Sequence, residues 1–422
     1  MLTPVVPLLA AAAATLSAAA IGTAAADGVA CSADPGAPLE AQCGGNGNCT
    51  AAGVCACRKP WTGPTCELLD FLPAAASTAC GPACAYHGGT NGTDPSWTSW
   101  GGQVVQNAKD KLYYMAVSEF AGGCGLSTWR CNSQVALARA ADPMGPFTKL
   151  GVAVDPWAHN AAIVALPDGG MAILSLGDGY SCAPGSLGKP TTNCTDGGHC
   201  QGGCVPPDTG GDSSDSSRLV GDTGPTGDAV FRMHYAASPE EASSKFPWAY
   251  VNVTLKGYKW GFPGNWNPAP MLLPNGSLRV MAHDSWRSMA GTAIFQSDGQ
   301  ANYQGPFDLI TDDQAPSWVG STRGTEDNFY WQDRQGNHHV LYHWMAGHSW
   351  CGGHSWSKDG FMWSNVSSSY NGSVLLAGGA GHLSCNRQRP KLLIGDNGVP
   401  THLYSGCGTR RGTYTVVAPL NV

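Results

Sequence analysis

From Trp97 onward the chain repeats one interval: a polar residue opens an apolar run, and a turn glycine follows nine positions later. Asn160 leads to Gly169 through AAIVALPDG, Asn267 to Gly276 through PAPMLLPNG, Asp327 to Gly336 through NFYWQDRQG, and Arg389 to Gly398 through PKLLIGDNG. GGQVVQNAKDK, from Gly101 to Lys111, is a degenerate fifth copy. A second apolar run follows each turn: LYYMAVSEF, MAILSLG, LRVMAHD, HHVLYHWM and PTHLYSG. Two such runs across a tight turn read as a β-hairpin. Equal spacing sets every opener at the same depth below its neighbours. Units of roughly 40 to 100 residues, each with about four strands, read as propeller blades. A β-sandwich also yields many short strands, but not a constant interval from polar opener to turn glycine. The expected fold is therefore all-β, a five-bladed β-propeller over 97–422, with an insertion at 178–227 in blade two. The stretch after Cys66 is expected to supply the last strand and close the ring.

Composition agrees. Charged residues make up 13% of the 422, against roughly a quarter in an average soluble domain, and no long Ala/Glu/Lys/Leu block follows residue 40. A net charge of −7 without Lys/Arg clusters argues against nucleic acid or anionic lipid as partner. Residues 1–26 are apolar, uncharged and end in small residues, as a cleaved signal peptide does; the strongly apolar part, Val5 to Leu16, is short for a membrane span. Sequons at Asn48, Asn91, Asn193, Asn252, Asn275, Asn365 and Asn371 fit an extracytoplasmic route. The mature protein is expected to be secreted, with no membrane insertion.

Cys31, Cys43, Cys49, Cys55, Cys57 and Cys66 crowd into 36 residues, too few to build a core without cross-links. Spacing alone allows fifteen connectivities. A zinc knuckle would want interleaved histidines, which are missing. The run C-x5-C-x5-C-x-C-x8-C, with Trp61-Thr62-Gly63 before the last cysteine, resembles an EGF-like module. That resemblance implies the pairs Cys31–Cys49, Cys43–Cys55 and Cys57–Cys66. The module is assigned to 27–68 and a junction to 69–96; since its cysteines close on themselves, the propeller's chemistry is expected not to need it. Cys182, Cys194, Cys200 and Cys204 in the insertion read as two local disulfides, with a four-cysteine metal site as the alternative. The remaining seven cysteines leave one thiol unpaired.

Innermost strands of a propeller surround a central funnel, so Gly101 or Gly102, Asn160, Asn267, Asp327 and Arg389 should ring one mouth. Their neighbours Trp100, His159, Trp266, Glu326 and Arg387 join them, and the returning strands bring Glu119, Asp178, Asp284 and His343 to the rim. Indole faces stack on sugar C–H surfaces while amides, carboxylates and guanidinium groups bind hydroxyls. His338, His339, His343, His348 and His354 lack the spacing of a zinc site. No G-x-S-x-G elbow or phosphate loop occurs.

PWAHN (156–160), NPAP (267–270), EDNFYW (326–331) and RQRPKLL (387–393) on this repeat resemble the five-bladed propeller glycoside hydrolases, the arabinanase/xylosidase-like superfamily. The resemblance spans about 320 residues in architecture. It implies carboxylates at inner-strand openings acting as acid and base, and Glu326-Asp327 matches such an opener with Asn328 in place of proline. Blade one opens instead with Trp100-Gly101-Gly102, and blades two and three with asparagine, so the three-acid set does not carry over. Glu326, Asp327 and Glu119 remain as catalytic candidates, with Asp178 and Asp284 in reserve. Trp100, His159, Asn160, Asn267, Asp284, Arg387 and Arg389 are the substrate-binding candidates. Strand alternation predicts that Glu326 and Asp327 point different ways. The expected function is hydrolysis of an extracellular polysaccharide or glycan, without cofactor or metal; a lectin-like propeller without hydrolase activity is the alternative.

Overall fold

The computed structural model describes residues 31–121, 124–126, 129–156, 158–176, 229–256, 267–284, 291–298, 305–310, 317–318, 325–345, 351–409 and 412–422. Within them the repeats form five antiparallel blades. Blade one runs from inside to outside as Ser99–Gln106, Tyr113–Phe120, Ser133–Ala140 and Thr148–Val154. Blade two orders His159–Ala165, Met171–Leu176, Ala229–Ala236 and Ala249–Lys256. Blade three orders Ala269–Leu272, Leu278–Asp284, Gly291–Ser297 and Phe307–Leu309. A short parallel pairing, Leu255 with Phe307 and Lys256 with Asp308, joins the rims of blades two and three into one eight-stranded sheet. Blade four orders Thr325–Gln332, His338–Trp344 and Cys351–Ser357, with Met362–Trp363 and Ser367–Tyr370 sharing its outer edge. Blade five orders Asn386–Ile394, Pro400–Thr409 and Gly412–Pro419.

Its fourth strand, Cys84–Tyr86, comes from the N-terminal side. The stretch read as a junction thus closes the ring. Each innermost strand packs on the next and the fifth on the first. The turn glycines Gly169, Gly276, Gly336 and Gly398 take φ values of +87°, +79°, +85° and +70°, a conformation that costs glycine nothing. In the degenerate first copy Lys111 holds the left-handed position at +61°.

Apolar layers fill the gaps between neighbouring blades, as in Val164, Leu174, Val280 and Phe295 between blades two and three. The layer between blades four and five is different. Phe329, Trp331, Leu341, Tyr370, Leu392 and Leu403 share it with Cys43, Trp61, Cys66 and Leu69 of the N-terminal module. The module's disulfides are Cys31–Cys49, Cys43–Cys55 and Cys57–Cys66, the connectivity that the EGF-like resemblance implies. Its cysteines do close on themselves, yet its apolar face does not: the indoles of Trp61 and Trp331 stack 6.5 Å apart, and Gly45 lies on Trp356, where a Cβ would come within 2.6 Å of the ring. Independence of module and propeller is therefore corrected to a shared core. Further disulfides, Cys80–Cys84 and Cys385–Cys407, tie down blade five, and Cys124 is also disulfide-bonded. Such cross-linking belongs to an oxidising compartment. The leader, the blade-two insertion and its four cysteines lie outside the described residues. No helix among the described residues is long and apolar enough to cross a membrane.

Candidate active site at the propeller axis

Gly101, Asn160, Asn267, Asp327 and Arg389 have φ values of +64°, +51°, +41°, +60° and +55°. Five successive blades thus open with the same left-handed residue. In blades one, two, four and five the pairing register shifts across it, between Trp100 and Gly102, His159 and Ala162, Glu326 and Phe329, and Gln388 and Lys391. Each is a bulge that re-aims one side chain. Left-handed backbone costs a non-glycine residue on the order of 1–3 kcal/mol and persists only where the surroundings impose it.

The re-aimed side chains meet at the axis. Asn160 Nδ2 donates to Asn267 Oδ1 at 2.6 Å and to Asp327 Oδ1 at 2.8 Å. Arg389 Nε lies 3.5 Å from the same Asp327 oxygen, and its Nη1 donates to Ser118 Oγ at 3.4 Å. Ser118 Oγ also accepts from the Asn160 backbone N–H at 2.9 Å. All four polar openers are buried. Glycine is required at 101 because Arg389 lies over it: a Cβ there would stand 2.8 Å from the arginine's own Cβ.

Glu326, one residue earlier, is about a third exposed at 32% of its side chain. His343 Nδ1 lies 3.0 Å from Glu326 Oε1 and 3.9 Å from Asp327 Oδ2. The prediction that the two carboxylates diverge is therefore corrected. Simple alternation fails at the bulge, and oxygens of both acids and a His343 nitrogen fall within 4.8 Å of one another. Burial raises the Asp327 carboxyl above the ordinary range; Arg389 opposes this and Glu326 reinforces it. Burial likewise lowers the Arg389 guanidinium. Lys391 lies fully inside, donating from Nζ to the Asn328 carbonyl at 2.7 Å, with burial pushing its ammonium down to about 8. Sequence reading missed Lys391: the register shifts between Gln388 and Lys391, so alternation from Arg389 does not single it out.

Other candidates lie in the walls. Trp100 packs across Gly406 of blade five, where a Cβ would come within 2.7 Å of the indole. His159 is buried, its Nδ1 2.6 Å from Ser133 Oγ and its ring stacked on Trp129 at 4.9 Å; burial holds its imidazole well below the usual range. Arg387 is sandwiched between the rings of Phe71 and Tyr370 at 4.8 and 5.0 Å and donates to Ser373 O at 3.1 Å. Its guanidinium is pushed down to about 10 by burial. These three are corrected from substrate ligands to interblade packing residues. Asp284 ends its strand at the mouth, but its side chain, Trp266 and Asp178 lie outside the described residues.

Glu119 is also corrected. It is fully buried, accepting from Tyr86 Oη at 2.5 Å and Gln134 Nε2 at 2.9 Å, and it pairs with Lys149. A carboxylate whose oxygens are so occupied is a structural anchor. Replacing it with Gln strips Lys149 of its counter-charge, and loss of one partner of such a pair costs about 3–5 kcal/mol. Glu119→Gln is expected to show that loss in denaturant unfolding, at the lower end because Lys149 keeps 14% exposure; an unchanged midpoint would return Glu119 to the catalytic candidates.

Comparison with known proteins matches residues 39–68 to a teneurin-like EGF domain. No curated protein matches the chain. Among solved structures, a family 117 glycoside hydrolase from the marine bacterium Zobellia galactanivorans is 13% identical, with 80% of this chain and 88% of that one covered at a TM-score of 0.47. An exo-β-1,3-galactanase from Clostridium thermocellum is 9% identical, covering 84% and 63% at 0.47. An endo-arabinase from Bacteroides thetaiotaomicron is 10% identical, covering 76% and 93% at 0.41.

Proposed function

We propose that the protein is a secreted carbohydrate-active enzyme that hydrolyses glycosidic bonds in an extracellular polysaccharide or glycan. The observation that carries this reading is the Glu326–Asp327–His343 group at the mouth: a buried carboxyl whose pKa is raised, beside a carboxyl open to solvent. Like charges this close resist joint ionisation, so the group holds a proton that it can deliver to a leaving oxygen. Asn160, Asn267 and Arg389, expected as substrate ligands, are buried and turn their polar groups to Asp327 and to one another; in this reading they position Asp327, and Glu326 meets substrate. Glycoside hydrolysis also needs an opposing carboxylate, roughly 5–5.5 Å away for retention or 6.5–9.5 Å for inversion. Asp284, the last residue of the returning strand of blade three, and Asp178, which lies outside the described residues, are the acids assigned to that role. Secretion is supported by the disulfides and by exposure of Asn48, Asn91, Asn252, Asn275, Asn365 and Asn371, every sequon asparagine among the described residues.

A second reading, a lectin-like propeller, is favoured by one observation: Gly101, Asn160 and Asn267 stand where the resembled enzymes carry acids. Incubation of the full chain with a panel of plant, algal and animal glycans separates the two. Release of reducing ends from one class supports hydrolysis. Retention of a glycan on an array without turnover supports the binder.

A further inference from the structure

We propose that the seat of the EGF-like module on blade four is an acid-sensitive latch, closed while a pair of buried imidazoles stays neutral and loosened when they take up protons. The pair is His339 and His354, on the second and third strands of the blade. His339 Nε2 lies 3.2 Å from Asp333 Oδ2, and His339 Nδ1 lies 3.0 Å from His354 Nε2. With both rings uncharged, one arrangement of protons satisfies both contacts: His339 donates from Nε2 to Asp333 and accepts at Nδ1 from His354 Nε2. A proton added to His339 Nδ1 would face the His354 N–H unless His354 changed tautomer, and on either ring the added proton is a charge buried under the module.

The module is the lid over this pair. Trp61 lies on His354 at 4.8 Å and stacks with Trp331, which stacks on His339 at 5.0 Å. Trp61, Trp331, His339 and His354 are all buried. The charges that act on the pair are Asp333 and Arg58. Asp333 favours a proton on His339, while Arg58 of the module, its Nη2 3.7 Å from Asp333 Oδ2, opposes one, and burial outweighs both. His338, next in sequence, faces the other way, toward Tyr330 and Arg279 of the blade three side. At the periphery the module holds on by neutral or singly charged bonds, Lys358 Nζ to Pro35 O at 2.6 Å and the Asn365 N–H to Glu40 Oε1 at 3.1 Å.

Burial depresses the imidazoles of His339 and His354 in the docked state. A depressed histidine favours the docked state above its free value of about 6.5, and that advantage is lost as pH falls below it. A histidine that stays neutral in the docked state down to pH 5 and titrates at its free value once open multiplies the open fraction about 25-fold between pH 7 and pH 5; His354, held well below the usual range, is the stronger of the two.

Hydroxyl-radical footprinting of the full chain reads this directly. Oxidation of Trp61 and Trp331 is expected to rise at least about 25-fold between pH 7 and pH 5, while Trp363, buried on the opposite face of blade four, stays protected. Replacing both imidazoles, His339→Gln with His354→Gln, should flatten the rise. If that variant does not fold, histidine NMR on the wild type decides. Imidazoles that resist protonation until Trp331 becomes accessible support the latch. Titration near pH 6.5 with the footprint unchanged, equal labelling at both pH values, or joint exposure of Trp363 would overturn it.

Discussion

Expression of residues 77–422 without the module should yield an unfolded or aggregated chain rather than an autonomous propeller. The truncation removes Trp61, Cys43, Cys66 and Leu69 from the layer that also buries Phe329, Trp331, Leu341, Tyr370, Leu392 and Leu403. It also removes Phe71, which bridges Leu420, and Ala74, which bridges Leu376. Each large apolar side chain returned to water costs about 1.5–3 kcal/mol. A handful of them matches the whole stability of a typical domain, about 5–15 kcal/mol. Trp61→Ala alone is milder, about 3–5 kcal/mol as a core truncation. Circular dichroism and thermal unfolding check both. A truncated chain that keeps the full-length transition would show that blades four and five complete their own core.

Asp327→Asn should lower hydrolysis at least about 10²-fold, the usual contribution of an acid or base, and Glu326→Gln should do the same. Their stability effects should differ. Glu326 is partly exposed and its amide can still accept from His343, so folding should be intact. Asp327→Asn leaves Arg389 facing a neutral amide, yet it also removes a carboxylate that burial disfavours. Because the folded pKa of Asp327 is raised, its contribution is fully present below the unfolded value, near 3.9, and is lost as pH rises through the folded one. The variant should therefore lose part of the decline in stability that the wild type shows as pH rises above that unfolded value. Wild-type turnover left untouched by both substitutions would defeat the assignment and move the search to Asp178 and Asp284. Absence of turnover on every glycan, with binding altered by Asp327→Asn, would establish the lectin-like reading.

The axial group was legible only in part. Asp327, Asn160, Asn267 and Arg389 were readable because the nine-residue interval carries positional information: strands of equal length bring their first residues to one level. Arg387, Trp100 and His159, one or two positions before an opener, offered groups equally suited to a sugar, but the bulge decides which side chain turns to the axis. Its left-handed φ at Asp327 and Arg389 leaves no mark in a pattern of apolar and polar residues. Glu119 looked like a rim acid from its place in the returning strand. Its true partners, Tyr86, Gln134 and Lys149, come from three other strands, and no local pattern announces such a meeting.

The sequence by itself determined the blade count, the hairpins and the disulfide-bonded module, since turns, strand periods and short cysteine loops are encoded within a few residues of one another. Tertiary structure alone decided that the module shares its core with blades four and five, that both mouth carboxylates meet His343, and that His339 and His354 lie sealed under Trp61. These depend on where distant segments come to rest and on how much water they exclude, and burial of that kind is a property of the assembled surfaces.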